Sequence, residues 1–307
     1  MTTFHWTRVL PLALLLLAPA APAQEGKGDV VYVPTPQIVV DEMLRMAKIT
    51  SSDFLIDLGS GDGRIVITAA KKHGASGFGV DLDRYLLKLA NDGAKKEGVE
   101  DKARFVEQNL FETDLSKATV ITTYLLPEMN AKLRPKILAL KPGTRVVAHD
   151  YSMGEWESDE EKTLSVPEKK VGDPGKSYIF LWIVPANVAG KWESQLQIGD
   201  RAVPYAFDFD QQFQVVRGKV RVGDRDGKLP QFRMNGAEIS FTMMAQVGNS
   251  TLTHRFRGEV KGDAIEGSVT VSGEGVGQRV VAWRAKQTSR GEMRMGAQSA
   301  AAVAAAR

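Results

Sequence analysis

Cysteine is absent from this chain. That excludes a thiol nucleophile, a thiolate metal site and any disulfide framework, and it is compatible with an oxidising compartment without demonstrating one. Strong charge is lacking too. The formal net charge is only +3, and no basic run is interleaved with aromatics, so no nucleic-acid partner is expected. His149 has no second ligand near it in sequence, and no metal site is expected. Long apolar runs are missing except near the start, where Val9 to Ala18 follows Arg8, is broken by Pro11, and precedes Ala21-Pro22-Ala23. This is the pattern of a signal peptide over residues 1–23, cleaved after the A-x-A site. An uncleaved N-terminal membrane anchor is the alternative. No second apolar span follows, so no transmembrane segment is expected after cleavage and the expected location is exported, periplasmic.

What the chain does have is a stretch from Phe54 to Asp83 that reads strand, glycine loop, helix, strand. Phe54-Leu-Ile-Asp57-Leu is followed by Gly59-Ser60-Gly61-Asp62-Gly63-Arg64, with glycine at every second position. The helix Ile65 to His73 comes next, then Gly77 to Val80 ending on Asp81. This is half of a doubly wound nucleotide site, in which ligand sits at strand ends beside a helix N-terminus. A dinucleotide loop would carry a third glycine where Arg64 stands. The carboxylates Asp57 and Asp62 would repel a pyrophosphate but suit an ammonium and a sulfonium. Asp81 is placed to accept hydrogen bonds from ribose hydroxyls. A nucleoside joined to a cationic amino acid meets all three conditions, and S-adenosylmethionine is that molecule.

Asp57-Leu-Gly-Ser-Gly-Asp-Gly63 resembles motif I of the class I (seven-strand) methyltransferases, with Gly79-Val-Asp81 resembling the acid that follows it. Tyr32-Val-Pro34-Thr35-Pro36, Tyr124-Leu-Leu-Pro127, Leu140-Lys-Pro-Gly-Thr-Arg-Val-Val147 and Met153-Gly-x-Trp156 narrow the resemblance to the ATP synthase c-subunit lysine methyltransferase family, over about residues 31–156. The resemblance implies a doubly wound, mostly parallel seven-stranded sheet and S-adenosylmethionine as cofactor. It implies a cofactor pocket of Thr35, Asp57, Gly59, Ser60, Gly61, Asp62, Gly63, Asp81, Leu82, Asn109 and Leu110. Many relatives carry an acid at the Asn109 position to accept the adenine amino group. Asn109 accepts there only through an uncharged carbonyl. A protein lysine is the acceptor the family implies; a small molecule is the alternative.

Catalytic candidates lie at the ends of the central strands: Tyr124, His149 and Asp150, with Thr123 and Glu128 beside them. Tyr124 is the residue expected to line the acceptor channel. Each has a plain structural role open to it: His149 a hydrogen-bonded strand end, Asp150 a turn cap, Glu128 a solvated first turn of helix.

Helices are expected over Gln37 to Lys48, Arg84 to Glu97 and Pro127 to Ala139, and strands over Ala103 to Val106, Thr119 to Thr123, Thr144 to Ala148 and Tyr178 to Val184. Glu157 to Lys176 is charged and loop-like, with a strand near Leu164 to Val166 and little room for a helix before it. The methyltransferase-like domain spans 24–186. From 187 to 288 the pattern changes to period two, as in Val203, Tyr205, Phe207 and Phe209. Gly199-Asp200, Gly223-Asp224, Asp226-Gly227 and Gly262-Asp263 act as turns. About seven short strands in an antiparallel barrel or sandwich are expected, and Gly190-Lys-Trp192 is weakly similar to the start of lipocalins. An Ala-rich disordered tail is expected over 289–307. Two other functions fit this layout: an exported protein that binds a nucleoside or thioether without catalysis, and a ligand- or partner-binding β domain on an α/β scaffold.

Overall fold

The computed structural model describes residues 32–229, 232–248, 250–273 and 277–296. The signal-peptide pattern lies outside the described residues. Among these, no helix is long and apolar enough to cross a membrane.

The first half of the chain runs α1 (Gln37–Met46), β1 (Phe54–Leu58), α2 (Arg64–His73), β2 (Ser76–Asp81), α3 (Arg84–Lys96), β3 (Ala103–Glu107), β4 (Val120–Thr123), α4 (Pro127–Leu138), β5 (Arg145–His149), β6 (Glu160–Val166) and β7 (Gly175–Ile183). Its strands form one seven-stranded sheet in the order β3-β2-β1-β4-β5-β7-β6. Strands β1 to β5 are parallel, and β7 runs antiparallel to both neighbours. The order reverses between β1 and β4, which opens a crevice at their C-terminal ends. All four residues of β4 are buried, as expected of a central strand covered on both faces.

Helix boundaries follow local chemistry. Gly74 ends α2 with φ +71°, a conformation glycine adopts without a Cβ clash. The Asp83 carboxylate caps α3 by accepting the N–H groups of Tyr85 and Leu86. Helices α1 to α3 bury Val39, Met43, Ile65, Ala69 and Leu87 on one face of the sheet. Helix α4 buries Leu133 and Ile137 on the other, against Ile56, Ile121 and Val146.

The charged stretch 159–162, expected as loop, enters strand β6. That strand is the sheet edge, with most of its residues exposed, so Glu160 and Glu161 stay in water while Lys162 pairs with Glu42 at 2.7 Å. Among the described residues no helix follows α4. The face of β5 and β7 is closed instead by the second half of the chain.

That half is a nine-stranded antiparallel sheet: β8 (Gly190–Ile198), β9 (Arg201–Gln212), β10 (Val215–Val222), β11 (Arg225–Lys228), β12 (Phe232–Asn235), β13 (Glu238–Val247), β14 (Ser250–Lys261), β15 (Ala264–Gly273) and β16 (Gly277–Arg290), ordered β11-β10-β9-β8-β16-β15-β14-β13-β12. There are nine strands, not seven, and several are long. Asp226-Gly227, expected as a turn, lies inside β11, where Asp226 pairs with Arg221. Phe207 of β9 meets Phe241 of β13 at 5.8 Å and Trp283 of β16 at 6.2 Å. Strands distant in the sheet order therefore share one core, so the sheet curls on itself. Its end strands, β11 and β12, are not paired with each other among the described residues. The core of this sheet holds a cluster of aromatic rings.

The tail expected from 289 starts too early. Strand β16 continues to Arg290, the Arg294 N–H donates to the Gln211 carbonyl at 2.9 Å, and Met293 and Met295 pack on the first domain. Residues 297–307 lie outside the described residues.

The two halves share a core. Phe213 lies parallel to Trp156 (centroids 6.1 Å apart, 16° between planes), with the Arg134 guanidinium 5.5 Å from its ring. Trp156 Nε1 donates to Gln214 Oε1 at 2.9 Å, and the Ala186 N–H donates to the Gly236 carbonyl at 2.8 Å.

Candidate active site

The loop after β1 turns through Gly59, Gly61 and Gly63 at φ +79°, +53° and +79°. A Cβ on Gly61 would stand 2.4 Å from the Tyr32 ring, and one on Gly63 would stand 2.4 Å from Phe105. Both positions thus require glycine for space as well as for backbone conformation. The Gly61 N–H donates to Asp81 Oδ2 at 2.9 Å, and Asp81 Oδ1 accepts the Asp83 N–H at 3.0 Å. Asp81 therefore locks the loop to the end of β2, with lone pairs remaining on both oxygens. Leu82, beside it, is 45% exposed.

Asp57 is buried and accepts one hydrogen bond, from Thr122 Oγ1 at 2.7 Å. Burial pushes its carboxyl up to about 7, and the nearby Asp81 and Asp62 charges act in the same direction. Asp62 departs from expectation. It is gripped by Arg64, whose Nε donates to it at 2.9 Å, and the Tyr32 hydroxyl also bonds it. Its charge is answered within the loop, two residues away, and does not stand open to a ligand cation. Arg64 Nη1 also donates to the Thr35 carbonyl at 2.8 Å, tying the Pro34–Pro36 segment to the loop. Thr35 itself is buried, with Oγ1 3.3 Å from His149 Nδ1. Asn109 Oδ1 accepts the Phe111 N–H at 3.0 Å; the side chain organises its own turn, and Leu110 packs on the core.

The acceptor-side candidates do come together. Tyr124 Oη donates to Asp150 Oδ2 at 3.1 Å, and the Tyr124 ring lies 4.0 Å from His149 and 6.2 Å from Tyr151. Burial and the Asp150 charge raise the Tyr124 phenol well above its ordinary value, so it remains a neutral hydroxyl. His149 is fully buried, between the hydroxyls of Thr35 and Ser177 (3.0 Å from Nε2). Burial pushes it down to about 4, which makes it a neutral brace behind Tyr124. Asp150 sits at φ +62°. It is held by Lys169 Nζ at 2.7 Å and by the Tyr178 N–H at 3.1 Å. Glu128 stays in the first turn of α4. Thr123 is buried.

Sequence reasoning misses Thr122, Ser177, Tyr32 and Lys169. The parallel register pairing Asp57 with Thr122 could have found the first. Ser177 alternates with Ile179 and Leu181 on the inward face of β7. Lys169, in a charged stretch, carries no local signal of its burial.

These residues fit S-adenosylmethionine. Asp57 is an acid with one hydroxyl partner and space-demanding glycines beside it. Ser60 Oγ and Thr123 Oγ1 are buried without a hydrogen-bond partner among the described residues, and buried hydroxyls left so call for an occupant. A family model described as the ANTKMT methyltransferase domain matches residues 57–160. A protein-lysine N-methyltransferase of Saccharolobus islandicus is 45% identical over 131 residues, 42% of this chain and 81% of that protein. The chain belongs to the class I S-adenosylmethionine-dependent methyltransferases. Within them it lies near the ATP synthase c-subunit lysine methyltransferases. The Xenopus laevis member is 32% identical over 129 residues, 42% of this chain, and the match spans only 56% of that protein. A solved RNA methyltransferase from Salinibacter ruber, in complex with S-adenosylhomocysteine, is 46% identical; the match covers 51% of this chain and 96% of that one, at a TM-score of 0.46.

Proposed function

We propose that this methyltransferase acts on the side-chain amine of a protein lysine. The observation that carries the reading is the Tyr124 hydroxyl, which donates a hydrogen bond to Asp150 at 3.1 Å and so leaves its lone pairs free as acceptors. The similarity to a protein-lysine N-methyltransferase supports it. A lysine amine with a pKa of about 10.4 must lose a proton, to water, before it has a lone pair to offer. A neutral hydroxyl backed by a carboxylate can bind and orient the N–H of such an amine. The rings of Tyr124 and Tyr151 offer π faces to the ammonium form on arrival.

When bound, S-adenosylmethionine supplies a methyl on a sulfonium, so that carbon–nitrogen bond formation is matched by carbon–sulfur cleavage with the electron pair leaving on sulfur. Asp57, the glycine loop and Asp81 would hold it. Buried His149, braced by Thr35 and Ser177, fixes the plane of the Tyr124 ring. What the chain supplies is proximity and alignment.

Because residues 1–23 carry an export-signal pattern, envelope proteins are the first acceptors to try. The test is incubation of the full chain with methyl-labelled S-adenosylmethionine and an envelope extract, followed by hydrolysis and amino-acid analysis. Label in methylated lysine supports the reading. Label confined to RNA, to small molecules or to other amino acids refutes it.

A further inference from the structure

Lys169 lies on the loop between β6 and β7, with a side chain only 4% exposed. Its Nζ reaches both oxygens of Asp150, at 2.7 Å and 2.6 Å, and donates to the Lys176 carbonyl at 2.5 Å. Asp150 in turn accepts the Tyr178 N–H and the Tyr124 hydroxyl. A buried ammonium is costly unless it is paired and fully bonded, and here it is both. A surface loop could have turned this lysine to water, as the neighbouring Lys170 does. The Cβ position of Gly172 lies 3.3 Å from Asp150 Oδ2, so the whole loop is drawn over the carboxylate.

We propose that Lys169 is a positioning residue of the transfer site: its ammonium holds Asp150 as a fixed anion, and Asp150 thereby fixes the direction of the Tyr124 hydroxyl. The chain of contacts is Lys169 to Asp150 to Tyr124. The role extends the reading of Tyr124 as the amine-orienting group. The bonds of the Lys169 ammonium run to Asp150 and the Lys176 carbonyl. Without its cation, Asp150 is a buried charge that has lost its partner, and the Tyr124 hydroxyl loses its fixed acceptor.

The experiment compares full-length wild type, Lys169→Met and Lys169→Arg, each labelled with ζ-¹³C tyrosine, the Tyr124 resonance being assigned from Tyr124→Phe. In Lys169→Met the Tyr124 resonance shifts, whereas Lys169→Arg keeps it near the wild-type position. Calorimetric titration with S-adenosylmethionine gives an affinity within about twofold across the set. Methyl transfer to envelope extract falls about tenfold or more in Lys169→Met, the scale of a lost charge-assisted hydrogen bond, and recovers in Lys169→Arg. A Tyr124 resonance unmoved in Lys169→Met overturns the proposal, as does an undiminished transfer rate. If wild type transfers nothing to lysine, the lysine reading fails and the Tyr124 resonance alone decides for or against Lys169. If Lys169→Met does not fold, the double variant Lys169→Met/Asp150→Asn, which leaves no unpaired buried charge, is compared with Asp150→Asn alone: the same Tyr124 resonance and transfer rate in both support action through Asp150, and a further change on removing Lys169 overturns it.

Discussion

Replacing Asp57 with Asn should make the ligand-free protein more stable and unable to bind its cofactor. The Asp57 carboxyl is buried, pushed up from 3.8 to about 7 chiefly by loss of water, with Thr122 as its one hydrogen-bond donor. Below about pH 4 it is protonated in both folded and unfolded chains. Between there and pH 7 the unfolded chain gives up the proton while the folded one retains it, so folding stability is lost as pH rises. That interval is about three pH units at about 1.4 kcal/mol each, or ~4 kcal/mol when complete. Asn has the same shape and can accept from Thr122, but carries no charge. The stability advantage of Asp57→Asn should therefore be near zero at pH 4 and grow to ~2–4 kcal/mol at pH 8. His149 acts in the opposite sense in wild type: pushed down to about 4, it costs stability as pH falls below about 6.5. The wild-type curve alone would blur the two, and the difference between the curves isolates Asp57. Urea denaturation from pH 4 to 8 on both proteins measures it, with calorimetric titration of S-adenosylmethionine alongside. A pH-independent difference, or cofactor binding intact in the variant, would refute the reasoning.

Phe213→Ala should lower the urea-derived stability by ~3–5 kcal/mol, as for a large aromatic removed from a core, and both halves should still unfold in one transition; two separated transitions would show that the shared core does not couple them. Gly61→Ala should weaken S-adenosylmethionine binding, since a residue at φ +53° with its Cβ 2.4 Å from Tyr32 must displace the ring or the loop; calorimetry reads the loss, and unchanged affinity would contradict it. Tyr124→Phe should slow methyl transfer by ~10–100-fold, the range of one well-oriented hydrogen bond, while cofactor affinity stays within about twofold; an equal fall in both would assign Tyr124 to the cofactor pocket.

The first domain was legible because its cues are local. Asp57 to Arg64 allows few backbone paths, Gly74 and Asp83 mark helix ends, and the apolar runs of β1, β4 and β5 announce buried parallel strands. Strand β6 was partly missed because an edge strand can be charged on every exposed position, which erases its signal. In the site, strand order brought Tyr124, His149 and Asp150 together without any contact being visible in sequence. What could not be read was the partner of each charge. Asp62 found Arg64 through the local turn of the glycine loop, and Asp150 found Lys169 from a loop 19 residues on. The second pairing depends on three-dimensional closure, and neither leaves a periodic trace.

The second domain explains what the first one lacks. Trp156 and Trp182 lie on the sheet face that no helix after α4 covers, and they would be wet in a domain ending at residue 186. Phe213, from the turn between β9 and β10, and Met293 and Met295, from the segment after β16, close over that face. Phe213 holds its place at φ +52°, a conformation that costs a non-glycine residue ~1 kcal/mol or more and persists only where packing over-determines it. The last segment, expected as a loose tail, supplies the two methionines. The β9–β10 turn and the segment after β16 are thus fastened to the core that holds Met153 and Trp156, a few residues beyond Asp150. On this geometry the second half covers the sheet face left open after α4, and removing it should expose Trp156 and Trp182 and with them the core beside the transfer site.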